Sequence, residues 1–215
     1  MPLAGRPLVE WSIAACRAAP SVRSIVVACP PGHVHDLAGH DLGVVDGGAT
    51  RAESVSNALE AVGTDLVAIH DAARPLVTSE LIEDVVTTLV ADPDAAGAIA
   101  AIPVTDTIKH LSSGTKRRFS TPDGENRRLV IESTLERERL WAAQTPQVFR
   151  TAALREALAA DPERLAEATD EAMMVEAAGG RVLINPSPAE NLKVTTPLDL
   201  KLAELLLEER NATGV

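Results

Sequence analysis

Short apolar runs alternate with amphipathic helical stretches along nearly the whole chain, and this alternation leaves few architectures open. Leu8 to Ala18 reads as a helix and Val22 to Cys29 as a buried strand. Gly43 to Asp46 gives a short strand, Thr50 to Val62 a helix, Asp65 to His70 a strand and Ser79 to Val90 another helix. Ala95 to Val104 is a fully apolar strand. After an interruption come helices near Thr151–Ala160 and Asp170–Ala178, a strand at Arg181–Asn185 and a helix from Pro197 to about Glu209. Thr196 caps that last helix, Pro197 takes its first position and Asp199 favours its dipole. Strand–helix repetition predicts an α/β domain, a mostly parallel sheet flanked by helices.

The interruption runs from about Asp106 to Leu140. It is polar and basic, with turn signals at Ser112-Ser113-Gly114 and Pro122-Asp123-Gly124, and reads as an excursion from the main sheet. With no internal repeat, the 215 residues are expected to form one domain. The chain begins Met1-Pro2-Leu3-Ala4-Gly5 and leads straight into a helix, so no opening strand and no Gly-rich phosphate loop are expected.

Composition removes several classes of function. Two Trp, two Phe and no Tyr leave almost no stacking platform for single-stranded nucleic acid. A net charge of −11 argues against nonspecific binding to DNA or to an anionic membrane surface. No stretch reads as a signal peptide or a membrane span. Cys16 and Cys29 are isolated within a helical and a strand pattern, which suggests buried free thiols in a reducing cytoplasm.

Chemistry-bearing residues gather at strand ends. Leu66-Val67-Ala68-Ile69 runs into His70-Asp71-Ala72-Ala73-Arg74-Pro75, and the C-terminal edge of a parallel sheet is where open α/β folds place ligands. Two small residues permit close backbone approach, Asp71 and Arg74 offer opposite charges, and Pro75 fixes the exit. The same segment also reads as a surface Asp–Arg pair, with His70 a plain strand-end residue. Asp46-Gly47-Gly48-Ala49-Thr50-Arg51-Ala52-Glu53-Ser54 puts a capping box just after two glycines, so free N–H groups at a helix start could hold an anion or a nucleotide edge. Taken by itself, the segment reads more plainly as an ordinary strand–turn–helix junction. Thr105-Asp106-Thr107-Ile108-Lys109, Arg137 and Arg139 before Trp141, Gln144-Thr145-Pro146-Gln147, Thr169-Asp170-Glu171 and Asn191-Leu192-Lys193-Val194-Thr195 each offer hydroxyls or cations suited to a phosphorylated polyol. Singly, each has a plain role as cap, turn or surface pair. His33, His35, Asp36 and His40 suggest a metal site, but residues at i and i+2 do not share a helix face. Asp92-Pro93-Asp94 reads as a polar turn and Lys116-Arg117-Arg118 as a solvated hairpin.

Taken in order, Gly-Gly-x-x-Arg-x-x-Ser, Asp-Ala-Ala-Arg-Pro, Asp-Thr-Ile-Lys, Gln-Thr-Pro-Gln, Thr-Asp-Glu-Ala and Asn-x-Lys-Val-Thr form a set far more specific than any member. From Met1 to about Leu207 the chain resembles the 2-C-methyl-D-erythritol 4-phosphate cytidylyltransferase family of non-mevalonate isoprenoid biosynthesis. The resemblance implies a Rossmann-like nucleotidyltransferase domain over 1–215, with a protruding β-arm at about 106–140. It implies that a methylerythritol phosphate oxygen attacks the α-phosphorus of CTP and pyrophosphate leaves, with Mg²⁺ neutralising the triphosphate and its ligands unassigned. By the same resemblance Gly48, Arg51, Ser54, Asp71 and Ala72 hold the nucleotide. Arg74, Thr107, Arg137, Thr145, Thr169 and Lys193 bind the polyol phosphate, with Arg137 and Lys193 as the catalytic positioning pair. The arm implies a homodimer in which Thr107 and Arg137 serve the partner's site, and between Lys109 and Arg137 it is longer than is usual for the family.

The family's usual opening strand and Gly-rich loop, with its arginine and lysine, would lie ahead of Met1, which suggests a start upstream. Losing two such donors and the backbone cradle is expected to cost roughly four to six decades in rate. Two alternatives stand beside the main reading: a cytidylyltransferase for another polyol phosphate such as ribitol 5-phosphate, and a catalytically impaired dimeric remnant. The Asp-Ala-Ala-Arg-Pro wording leans toward methylerythritol phosphate.

Overall fold

The computed structural model describes residues 2–33, 42–112, 129–160 and 168–213. His35, Asp36, His40, the run Lys116-Arg117-Arg118 and the turn at Pro122-Asp123-Gly124 lie outside the described residues, as do Ser113 and Gly114. The chain divides into two compact units, Met1–Ala101 with Ala143–Val215, and Ile102–Ala142.

The larger unit opens on a minimal hairpin, β1 (Pro2–Leu3) and β2 (Arg6–Pro7). The expectation of a start without strands is corrected here. Ala4 and Gly5 turn the chain at φ 49° and 76°, a left-handed pair that closes so short a hairpin. Leu3 is thereby buried against Val194, Ala203 and Leu207. Next come α1 (Leu8–Ala18), β3 (Val26–Cys29), β4 (Gly43–Asp46), α2 (Arg51–Leu59), β5 (Leu66–Ile69), α3 (Ser79–Val90) and β6 (Gly97–Pro103). In the smaller unit, β7 (Lys109–Leu111) and β8 (Ile131–Thr134) form an antiparallel pair with a register shift at His110/Leu111. Lys109 donates Nζ to Thr134 Oγ1 across it at 2.8 Å. The chain then runs through β9 (Trp141–Arg150), α4 (Thr151–Ala160), α5 (Glu171–Ala177), β10 (Val182–Pro186) and α6 (Pro197–Thr213).

Four strands form one sheet in the order β10-β6-β9-β5, and β3 and β4 form a separate parallel pair. The period of two sorts the side chains to two faces. Ala98, Ala100 and Val148 meet Leu81, Ile82, Val85 and Leu89 of α3, while Ile99 and Phe149 meet Leu154, Leu158, Met174 and Val175 of α4 and α5. Helices thus cover both faces, and each fully buried large aliphatic or aromatic side chain contributes about 1.5–3 kcal/mol. Gly97 is required at its place, since a Cβ there would stand 2.4 Å from Phe149 Cδ1. An apolar cavity of about 670 Å³, bordered by Val26 and Val27 of β3 and Leu66 and Ile69 of β5, lies between the two sheets.

The mostly parallel expectation holds only in part. β10–β6 and β3–β4 are parallel, but β5 runs antiparallel to β9, with Ile69 opposite Gln147 and Leu66 opposite Arg150. β9 itself has no counterpart in the sequence reading, because Gln144, Thr145, Pro146 and Gln147 break its apolar alternation and a mid-strand proline argues against a strand. These polar side chains are buried because each has partners. Gln147 donates Nε2 to Asp170 Oδ2 at 3.0 Å, and Gln144 Oε1 accepts from Ser187 Oγ and Asn191 Nδ2, both at 2.9 Å.

Candidate active site

The C-terminal end of β5 builds the centre of the site. Past Ile69 the chain turns through Asp71–Arg74, closed by Arg74 N–H donating to Asp71 O at 2.9 Å. Two contacts lace this turn to the segment after β10: Arg74 Nη1 donates to Asn191 O at 2.7 Å, and Val194 N–H donates to Ala73 O at 2.7 Å. Lys193, held between them, donates Nζ to Asp71 Oδ2 at 2.7 Å.

Arg51 reaches the same carboxylate from the first turn of α2. Thr50 caps that helix by accepting from Glu53 N–H at 3.1 Å, and Glu53 Oε2 accepts from Ala49 N–H at 2.7 Å, one residue ahead of the usual capping-box partner. The preceding turn demands glycine, because a Cβ on Gly48 would lie 2.2 Å from Glu53 Cβ. Ser54 Oγ accepts from Gly48 N–H at 3.0 Å and donates to Thr50 O at 2.9 Å, which ties the loop to its helix. From there Arg51 Nε donates to Asp71 Oδ1 at 3.0 Å, and Nη1 donates to both oxygens of Glu171, at 2.7 and 2.8 Å.

A chain of charge results: Glu171, Arg51, Asp71, Lys193. Burial opposes ionisation of Asp71, but the Lys193 hydrogen bond and the Arg51 guanidinium outweigh it and hold the carboxyl below its usual range. Glu171 is only 1 % exposed; burial pushes its pKa up, and Arg51 pulls against that shift. Burial also lowers Arg51, yet Glu171 and Asp71 together raise it above its ordinary value. Lys193 is the loosest member, 42 % exposed at the side chain and tied at Nζ to one carboxylate oxygen.

Arg74 departs from the sequence reading. It does not pair with Asp71; its guanidinium is buried, donates to the Asn191 carbonyl and leaves Nε without a protein partner. Burial lowers its pKa and the nearby Asp71 carboxylate partly restores it. A buried guanidinium with a spare donor is suited to an anion.

Arg51, Asp71, Arg74, Thr145, Thr169 and Lys193 line one polar pocket of about 200 Å³, together with Gln144, Gln147 and Asp170. Six of the expected site residues therefore converge from five separated stretches. Ser54 and Ala72 border the adjoining 670 Å³ cavity, which shares Arg51, Asp71 and Lys193 with the polar pocket. Gly48 supports the α2 start from behind. Thr107 and Arg137 belong to the Ile102–Ala142 unit, where both are exposed and Arg137 Nη1 donates to Thr105 O at 2.7 Å. Four residues that shape the pocket escaped the sequence reading of roles: His70, Gln147, Glu171 and Asn191. Gln147 inside an otherwise apolar strand and Glu171 one place beyond the Asp170 cap were the available signals, whereas His70 and Asn191 stand in loops where sequence gives none.

Among the described residues no three His, Cys, Asp or Glu side chains come together to hold a metal ion. Asp71 and Glu171 are already committed to cations, and Asp170 accepts from Met173 N–H and Gln147 Nε2. A cation site built from protein ligands alone does not fit this pocket. Neither Cys16 nor Cys29 is joined in a disulfide among the described residues, and burial raises the Cys16 thiol to about 11.

Comparison with known proteins agrees with the geometry. Residues 1–209 match the family model described as IspD: 2-C-methyl-D-erythritol 4-phosphate cytidylyltransferase. The 2-C-methyl-D-erythritol 4-phosphate cytidylyltransferase of Dechloromonas aromatica is 39% identical over 97% of this chain and 88% of its own length. The bifunctional enzyme IspD/IspF of Anaeromyxobacter sp. (strain Fw109-5) is 39% identical over 99% of this chain, which spans 53% of that longer protein. The crystal structure of 2-C-methyl-D-erythritol 4-phosphate cytidylyltransferase from Thermus thermophilus superposes with a TM-score of 0.77 at 37% identity, covering 96% of this chain and 92% of that one. This chain belongs to the 2-C-methyl-D-erythritol 4-phosphate cytidylyltransferase family.

Proposed function

We propose that the chain joins CTP to 2-C-methyl-D-erythritol 4-phosphate, giving the CDP-linked methylerythritol and pyrophosphate for non-mevalonate isoprenoid biosynthesis. A phosphate oxygen of the alcohol attacks the α-phosphorus, and the bond to the bridging β-phosphate oxygen breaks. One observation carries the reading: cations from three separated segments, Arg51, Arg74 and Lys193, converge on one polar pocket beside Asp71. Reactions of this kind need positioning and charge stabilisation more than covalent help from the protein.

Each residue then has a task. Lys193 exchanges Asp71 for the phosphate of the alcohol, and buried Arg74 offers its spare Nε–H to the same group. Charge-assisted hydrogen bonds of this sort are worth about 1.5–3 kcal/mol each. Asp71, released from Lys193, stays fixed by Arg51 and faces the nucleotide, with Ala72 letting the backbone approach. Gly48 and Ser54 hold the loop that carries Arg51 to the nucleotide, and Thr145 and Thr169 receive the polyol. Mg²⁺, brought in with the triphosphate, would neutralise its charge, and the carboxylates of this pocket would not be needed to hold it.

Thr107 and Arg137 act in a homodimer, from the arm of one subunit on the alcohol phosphate in the other. The setting is the cytoplasm, with no nucleic acid or membrane as partner. No helix among the described residues is long and apolar enough to cross a membrane. The test is pyrophosphate release by the full chain with CTP, Mg²⁺ and either methylerythritol phosphate or ribitol 5-phosphate. Release with the first supports the proposal. Release with ribitol 5-phosphate alone transfers it to another polyol, and release with neither defeats it.

A further inference from the structure

His70 stands one residue before Asp71, and both of its ring nitrogens have partners. Nε2 lies 3.2 Å from Arg74 O, and Nδ1 lies 3.0 Å from Thr145 Oγ1. A carbonyl oxygen only accepts, so the nitrogen facing it carries the proton. Burial keeps the ring neutral, lowering its pKa to about 4. Nδ1 is therefore bare, and Thr145 must donate its hydroxyl proton to it. Thr145 Oγ1 in turn accepts the Asp71 N–H at 3.0 Å. With one lone pair used and the proton committed, that oxygen has a single lone pair left.

We infer that His70 is a positioning residue that fixes the polarity of Thr145, so that Thr145 meets substrate only as an acceptor and reads a hydroxyl of the polyol, not a phosphate oxygen. The inference rests on the cytidylyltransferase reading for its substrate, though not for its hydrogen-bond order. Two further consequences come from the same contacts. The Asp71 amide is pinned by Thr145, so the carboxylate between Arg51 and Lys193 is held from its own backbone. Arg74 O is pinned by the Nε2 proton, which fixes the far end of the same turn.

Two variants separate these contacts, because an Asn amide oxygen reaches the place of Nδ1 and a Gln amide nitrogen the place of Nε2. His70→Ala and His70→Gln are expected to raise KM for methylerythritol phosphate by about tenfold, one buried hydrogen bond, and His70→Gln, which keeps a donor for Arg74 O and so the Asp71 turn, is expected to leave KM for CTP nearly unchanged. His70→Asn is expected to restore most of that loss, since it returns an acceptor to Thr145. Equal kinetic constants in His70→Ala and the parent, or no advantage of Asn over Gln, overturn the inference and leave His70 as core packing. A second measurement needs no turnover: long-range ¹H–¹⁵N spectra should show the Nε2-protonated tautomer at neutral pH, and Nδ1 protonation refutes the hydrogen-bond order. If the parent chain turns over no polyol phosphate while the tautomer is as stated, it is the functional reading that fails and not the network.

Discussion

Asn191 offers the sharpest single perturbation of the site. It is 1 % exposed, and its Nδ2 donates to Gln144 Oε1 at 2.9 Å, Thr145 O at 2.9 Å and Ser187 Oγ at 3.3 Å. Truncation in Asn191→Ala deprives the Thr145 carbonyl of this donor, at about 1–3 kcal/mol for a buried acceptor. Gln144 Oε1 keeps the Ser187 hydroxyl, so its loss is smaller, about 1 kcal/mol. The void left behind adds about 1 kcal/mol. Together these give roughly 3–5 kcal/mol, a large share of a domain's margin of about 5–15 kcal/mol. For a chain of this size that lowers Tm by about 10 °C. Asn191→Asp should be worse at neutral pH, because a carboxylate would then face three oxygen atoms and supply no donor; acid should recover part of the deficit by restoring one O–H. Urea denaturation at several pH values, analysed at constant m, measures both. A change below about 0.5 kcal/mol for Asn191→Ala, or an Asp variant no weaker than the Ala variant, would mean that the Asn191 amide is not the donor the Thr145 carbonyl depends on.

Other outcomes follow from the same contacts. Gly48→Ala should cost about 1–3 kcal/mol by overpacking and should displace Arg51, because its Cβ would collide with Glu53 Cβ at 2.2 Å; thermal melts and a crystal structure of the variant would show both. His70 sits near 4 in the folded chain, chiefly by burial, with the Arg74 carbonyl and Asp71 pulling its pKa up and the Arg74 guanidinium pushing it down. Since the unfolded imidazole titrates near 6.5, its contribution is complete above that pH and declines as pH falls toward about 4, by about 3 kcal/mol in all. In His70→Asn the dependence of unfolding free energy on pH should flatten by about one proton in this window, and an unchanged slope would contradict the burial argument.

Much of the architecture was legible because single elements carried several agreeing signals. Helices α1 and α3 have the expected bounds, Leu8–Ala18 and Ser79–Val90, from clean amphipathic periodicity. At α2, Thr50 and Glu53 announced the start three residues apart. β9 was hidden because burial there is governed by hydrogen bonding of Gln144, Thr145 and Gln147, which apolar patterning does not register. The site was legible as a set of strand-end polar residues, but not its wiring. Arg74 looked like the partner of Asp71 by proximity in sequence, whereas Arg51 and Lys193, 20 and 122 residues away, hold that carboxylate. Glu171 stood out only as one polar residue among several at a helix start, and the tertiary fold alone sets it against Arg51. Local patterns report local preferences; pairings between distant stretches need the fold that brings them together.

The proposed reaction turns on Lys193 giving up Asp71 to hold the phosphate of the alcohol. Calorimetric titration of 2-C-methyl-D-erythritol 4-phosphate into the parent chain and into Lys193→Ala decides this exchange. One lost charge-assisted hydrogen bond predicts affinity weaker by about tenfold to a hundredfold, with the salt dependence of binding reduced. Equal affinity in the two proteins would contradict it.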